Sequence, residues 1–315
     1  MSSFIYAFFQ QIYALLPFFI LIGLGYYLVR FRQWPKDFTR GLTRFLFNLA
    51  IPIMLFGVMS KFHEQEDVDP KLILAYFGGS FILFFIAHFF SKKALKLTSR
   101  ASSVFGVGTI FANNVMIGIP ILMLFMGDDA IAVSAMIISF NALLLWSLVS
   151  FSIEWADHGS FSVRGMAATF KGVLKNPVVI GIMLGLLASY VRLPIPQFAG
   201  KTISMFSDMV APLSLLVLGM GLAEYRIGSS LKVSMFLVFF KLVLHPLVIW
   251  LCALALGLPA FETKAIVILG SLAAGMNVYL MALKFEEIED AVASGIVLST
   301  LLSAVTTPII LLLMP

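Results

Sequence analysis

Almost the whole chain consists of apolar runs as long as a bilayer is thick, and a backbone in hydrocarbon has few ways to fold. With no water to pair with N–H and C=O groups, only helices and closed barrels satisfy them. A spanning helix takes about 20 residues, roughly twice a spanning strand. Ten apolar runs of helical length fall at about 8 to 29, 42 to 60, 71 to 91, 103 to 126, 130 to 153, 172 to 191, 204 to 223, 233 to 257, 262 to 283 and 291 to 313. The connections are short and polar, so no soluble domain fits in the remainder of the 315 residues. With 61% hydrophobic and 12% charged residues, the composition lies outside that of soluble globular chains. The fold class expected is an all-α integral membrane protein with ten transmembrane helices.

Several functions are excluded at this level. One cysteine, Cys252 in an apolar run, provides neither a disulfide framework nor a Cys-based metal site. No histidines stand at metal-ligand spacing. No acid pair, and no nucleophile with its base, lies among the runs, so neither a catalytic residue nor an enzyme is expected. No cofactor or metal is called for. The first run has no basic stretch before it, since Arg30 and Arg32 follow it, and it is expected to stay as a span.

The net charge of +5 reads as topology. Fifteen Lys and Arg fall in one set of loops, including Arg30 to Arg44, Lys92 to Arg100 and Lys171 to Lys175, against five in the other. Cytoplasmic loops carry that excess, which places both termini outside the cytoplasm and leaves no nucleic-acid partner. A multi-pass protein of the plasma (inner) membrane, with the lipid bilayer as its partner, is expected.

An internal repeat organises the runs. A shift of 160 residues superimposes Pro17 on Pro177, Gly25 on Gly185 and Pro52 on Pro212; a shift of 161 lays Asp129-Ala130-Ile131-Ala132 on Asp290-Ala291-Val292-Ala293. The chain divides into a first five-helix repeat at 1–155, a cytoplasmic connector at 156–171 and a second repeat at 172–315. Five is odd, so the second repeat enters the membrane from the opposite side and the two are inverted.

Two runs are interrupted at matching places. In the fourth, Asn113-Asn114 is followed by Gly118-Ile119-Pro120, and in the ninth Ala274-Gly275 precedes Asn277. Proline removes a donor and clashes with the carbonyl four residues back, so the helix is expected to open. Broken helices in corresponding positions of two halves point to the substrate site of a secondary transporter. The substrate-binding candidates are Asn113, Asn114, Gly118, Pro120, Gly275 and Asn277. The amides offer donors and an acceptor, and a half-helix starting after a break turns its N–H groups toward an anion. The glycines and Pro120 expose that backbone. The competing role for the asparagines is an inter-helix hydrogen bond.

Three residues are candidates for charge or coupling roles. Lys241 lies about nine residues, roughly 14 Å, into the eighth run, with His245 one turn on. A charge so deep costs about 3 kcal/mol to insert, so Lys241 either serves the transport path or snorkels to the interface. Asp208 and Asn48 are repeat-related, each four residues before a proline. Asp208 is either an interfacial cap or a titratable group for coupling.

These residues resemble the auxin efflux carrier family, in its bacterial type. Asn113 with Gly118-Ile119-Pro120 is similar to its fourth-span signature, and Asn176-Pro177 leading to Gly185-Leu186 to its entry into the sixth span. Pro212 with Gly219, Ala274-Gly275-x-Asn277, and Ser299-Thr300 through Pro308 follow in family order, over essentially the whole chain. Val115 and Ala273 depart from the family's usual glycine and proline. The resemblance implies spans four and nine crossing at unwound centres, and an elevator-type transport domain moving against spans one, two, six and seven. It also implies a homodimer. Its substrates are small organic anions, dicarboxylates or auxin-like acids. The expected function is therefore a secondary active transporter of a small carboxylate, driven by protons, sodium or the membrane potential. The rival is a cation/proton antiporter of similar crossed-helix fold.

Overall fold

The computed structural model describes residues 2–64, 69, 71–158, 175–225 and 230–314. Most of the connector at 156–171 lies outside them. The described chain is helical throughout. In order it forms α1 (Ser2–Arg30), α2 (Lys36–Phe45), α3 (Ile51–Ser60), α4 (Lys71–Ala94), α5 (Ser99–Ile110), α6 (Ile119–Met126) and α7 (Asp129–His158). There follow α8 (Pro177–Tyr190), α9 (Gln197–Leu222), α10 (Leu231–Phe239), α11 (His245–Ala255), α12 (Ala260–Ser271), α13 (Asn277–Phe285) and α14 (Glu289–Leu313).

Six of these stretches are long and apolar enough to cross a membrane: Phe8–Arg30, Asp37–Ser60, Lys71–Ala94, Gln197–Leu222, Leu231–Ala255 and Glu289–Leu313. Asn114–Met126, Asp129–Asn141 and Pro177–Tyr190 are shorter apolar helices. The expected fourth and ninth runs are each divided in two, which is why neither counts as one long helix.

Prolines shape three of the helices in the same way. Five-residue π turns occupy Leu46–Ala50, Asn114–Gly118 and Phe240–Leu244. In each case a proline follows two residues later, at Pro52, Pro120 and Pro246. The proline ring crowds the carbonyl four residues back and leaves it without a donor. Widening the preceding turn relieves the clash and keeps the helix running. The fourth run accordingly opens before Asn114, at Phe111 to Asn113, and Pro120 starts a continuous α6.

The helices pack in two groups. In one, α1 lies along α9, α3 along α8, and α9 against α3. Glycines set the closeness: a Cβ at Gly219 would collide with the Ile22 carbonyl, and one at Gly25 with that of Leu216. Gly185 likewise lies against Phe56 and Met59. In the second group α4 packs on α5 and α11, α5 on α7, α11 on α12, and α10 on α14.

Candidate substrate site at the paired helix breaks

The two interruptions meet. Ala112 and Ala274 form an isolated antiparallel bridge, closed by Asn113 N–H to Ala273 O at 2.9 Å and Gly275 N–H to Phe111 O at 2.8 Å. Backbone groups released by one break are thus satisfied by the other, as hydrocarbon requires. Ala274 N–H is taken up by Ser299 Oγ at 3.1 Å. The second break forms with no proline at 273, because this pairing holds it open. A Cβ at Gly275 would sit 3.1 Å from the Ala112 carbonyl oxygen, and one at Gly118 2.8 Å from Leu269 Cδ2, so both glycines permit close approach at the crossing.

Asn113 caps the half-helix that follows it. Its Oδ1 accepts from Met116 N–H at 3.3 Å, which fixes the amide: Nδ2 must point the other way. Nδ2 is buried and has no hydrogen-bond partner among the described residues, and the residue is 7% exposed. Asn114 Nδ2 donates to Tyr76 Oη at 3.1 Å. The first N–H groups of Asn114–Met126 and of α13 have no partner within their own helices, and both helix N-termini carry partial positive charge.

A cavity of about 680 Å³ opens against this pairing. Asn113, Asn114, Gly275 and Asn277 line it, together with Arg40, Arg44 and Asn48 from the second span, Asn141 on α7, Asn176 at the start of α8, and Glu224, Tyr225 and Tyr279. Tyr225 and Tyr279 meet edge to face at 4.8 Å and form an aromatic wall. Burial pushes the Tyr225 phenol up, so it remains a donor at neutral pH.

The structure therefore brings four of the six predicted binding residues onto one cavity. Gly118 and Pro120 stand behind it, in the half-helix. Asp208 is exposed on α9 and lines no part of the cavity. Lys241 and His245 are fully buried away from it. Lys241 Nζ donates to Gly270 O at 2.6 Å and lies 3.1 Å from His245 Nδ1. Ser80 Oγ donates to Tyr76 O at 2.7 Å and stands 2.9 Å from His245 Nε2, while His245 Nδ1 lies 3.0 Å from Gly270 O. The Lys241 amine thus caps the C-terminal end of α12, where unpaired carbonyls carry partial negative charge. Tyr76 alone bridges this network to Asn114.

Arg40 and Arg44 were legible in the sequence only as topology markers. Their spacing of four, continued by Asn48, was the available sign of one face turned to a common space.

Interrupted helices paired around a polar cavity inside an apolar bundle define a membrane transport protein. The family model described as membrane transport protein matches residues 11–311, and the chain belongs to that family, the auxin efflux carriers. It is 25% identical over 296 residues to a Rhizobium meliloti (strain 1021) protein described as "Putative malonate transporter", covering 92% of each chain. It is 22% identical over 299 residues to "Uncharacterized transporter YfdV" of Escherichia coli (strain K12), covering 94% of this chain and 95% of that one. With "Auxin efflux carrier component 8" of Arabidopsis thaliana it shares 19% identity over 347 residues, 93% of this chain and 94% of the relative.

Proposed function

We propose that the chain is a secondary carrier that moves a small carboxylate across the plasma membrane by alternating access. The observation that carries this reading is the Asn113 amide: a buried donor without a partner, held in place by its own cap and set between two half-helix N-termini. A donor of this kind calls for an acceptor, and the positive helix ends favour an anionic one. Asn277 completes the amide pair on the same cavity. The name of the Rhizobium relative agrees with this chemistry. A cation exchanger would need an acid at the crossing, and the acid among the described cavity residues, Glu224, belongs to the mouth.

The architecture we infer is ten spans in two inverted five-helix repeats, with both termini outside. Two observations support it. Gly25 against Leu216, and Gly185 against Phe56, become the same contact when the halves are exchanged by 160 residues. The cavity is lined by Arg40, Arg44, Asn176 and Glu224, which lie in or next to the segments rich in Lys and Arg, and on this reading it is an inward-facing state. The first packing group is then the scaffold and the second the moving domain of an elevator.

The test is transport current or uptake in proteoliposomes with malate, malonate, citrate, an aromatic acetate and sodium. A carboxylate response in the wild type that is lost in Asn113→Ala plus Asn277→Ala, with folding intact, is the expected result. Responses to sodium or pH with every carboxylate silent would overturn the reading.

A further inference from the structure

The cavity is lined by arginines as well as by the amides at the crossing. Its charged lining residues are Arg40, Arg44 and Glu224. Arg40 is engaged with Asp37 at 3.4 Å on the exposed side. Arg44, one turn deeper and facing the same cavity, has no acidic partner among the described residues. Asn48 follows one turn further in, so the guanidinium of Arg44 stands at the outer end of a polar stripe that leads toward the amides at the crossing.

The geometry points to Arg44 as the residue that reads a second carboxylate. This rests on the carrier reading above. One carboxylate of the substrate takes the Asn113 Nδ2 donor and the half-helix N-termini. The other extends toward the mouth and pairs with the Arg44 fork, which matches the two oxygens of a carboxylate with two parallel N–H donors. Arg44 thereby selects dicarboxylates over monocarboxylates, and Glu224, also on the lining, disfavours further negative charge. A general attraction of anions also favours the doubly charged acid, but it depends on charge alone and would persist in full in Arg44→Lys, whereas the bidentate fork would not.

The experiment measures affinity by transport current in proteoliposomes for malonate and succinate against acetate and propionate. The proteins are the wild type, Arg44→Gln and Arg44→Lys. Wild type is expected to bind the dicarboxylates at least about tenfold more tightly, in keeping with the strength of a charge-assisted bond. Arg44→Gln should remove most of that preference by weakening dicarboxylates more than monocarboxylates, with the melting temperature in detergent reporting that the variant is folded. Arg44→Lys should recover only part of the preference. An unchanged ratio in Arg44→Gln, or an equal weakening of both classes, would overturn the assignment and leave the carrier reading standing. A wild type silent to both classes would overturn the carrier reading and this inference with it.

Discussion

Asn113→Asp separates the structural and the binding work of one side chain. The Oδ1 of Asn113 caps the half-helix through Met116 N–H, and a carboxylate caps at least as well. The buried Nδ2 has no partner and is the proposed ligand donor; in the variant it becomes a second oxygen. Two helix N-termini keep the new carboxylate ionised. A substrate carboxylate then loses a hydrogen bond to a charged group, about 1.5 to 3 kcal/mol. It also meets a like charge about 4 Å away, which costs about 1 kcal/mol in a water-like setting and about 4 in a protein-like one. The total of about 2.5 to 7 kcal/mol weakens binding at least about 50-fold. Affinity is read from substrate-induced current in proteoliposomes, and stability from the melting temperature in detergent. Unchanged stability with binding weakened by this amount is expected. A stable Asn113→Asp that binds carboxylates like the wild type would refute the role of Nδ2.

Three further outcomes follow from the packing. Gly219→Ala places a Cβ on the Ile22 carbonyl, a backbone atom that yields only if α1 and α9 separate, so a loss of about 1 to 3 kcal/mol is expected in thermal or chemical unfolding. Lys241→Met removes the buried amine from Gly270 O and from the side of His245 Nδ1 and should cost about 1 to 3 kcal/mol, with substrate affinity changed less than about threefold because Lys241 lines no part of the cavity. A strong loss of affinity in a stable Lys241→Met would place the lysine in the substrate path instead. For topology, a C-terminal periplasm-dependent phosphatase fusion should be active and a cytoplasm-dependent fluorescent fusion dark; the reverse would invert the assigned orientation.

What was legible in the sequence was what hydropathy and punctuation carry locally. The helical, apolar character of the chain and the interruptions near Asn113 and Gly275 read directly. The prolines announced a disturbance but not its kind. Pro52, Pro120 and Pro246 are each absorbed by a π turn, and the actual opening lies a turn earlier, at Phe111 to Asn113. The bonds that join the breaks pair residues some 160 positions apart, and no local pattern specifies them. Lys241 shows the same limit. Its partner is a backbone carbonyl, Gly270 O, and a carbonyl at a helix end leaves no mark in composition. Each π turn nevertheless holds one polar side chain, Asn48, Asn114 or Lys241, in keeping with the use of such turns at functional positions. A polar residue four to six places before a proline in an apolar run was therefore a sign present from the start.

Asp208 gains a role from the proposed symmetry. Under the 160-residue exchange Asn48 maps onto Asp208 and Arg44 onto Ser204. Asn48 and Arg44 line the cavity at the crossing, inward-facing on the proposed reading. Their counterparts would line the outward cavity once the moving domain has shifted. The wall corresponding to Val178 and Val179 is Phe18 and Phe19, which here close on Ile117 and Ile121 around a void of about 10 Å³, as a sealed outer side requires. The outward site would thus present an acid and a hydroxyl where the inward site presents an amide and a guanidinium. On that reading an anion would be held less tightly facing outward, which would favour release on that side. Asp208→Asn should tighten outward-side affinity several-fold in oriented proteoliposomes, as expected for relief of one solvated like charge, and leave inward-side affinity unchanged. In a Cys252→Ser background, Asp208→Cys should react with an impermeant thiol reagent from outside, and faster when substrate gradients favour the outward state. Labelling indifferent to the gradient, together with equal affinities on both sides in Asp208→Asn, would show that the two halves do not exchange environments as inverted repeats must.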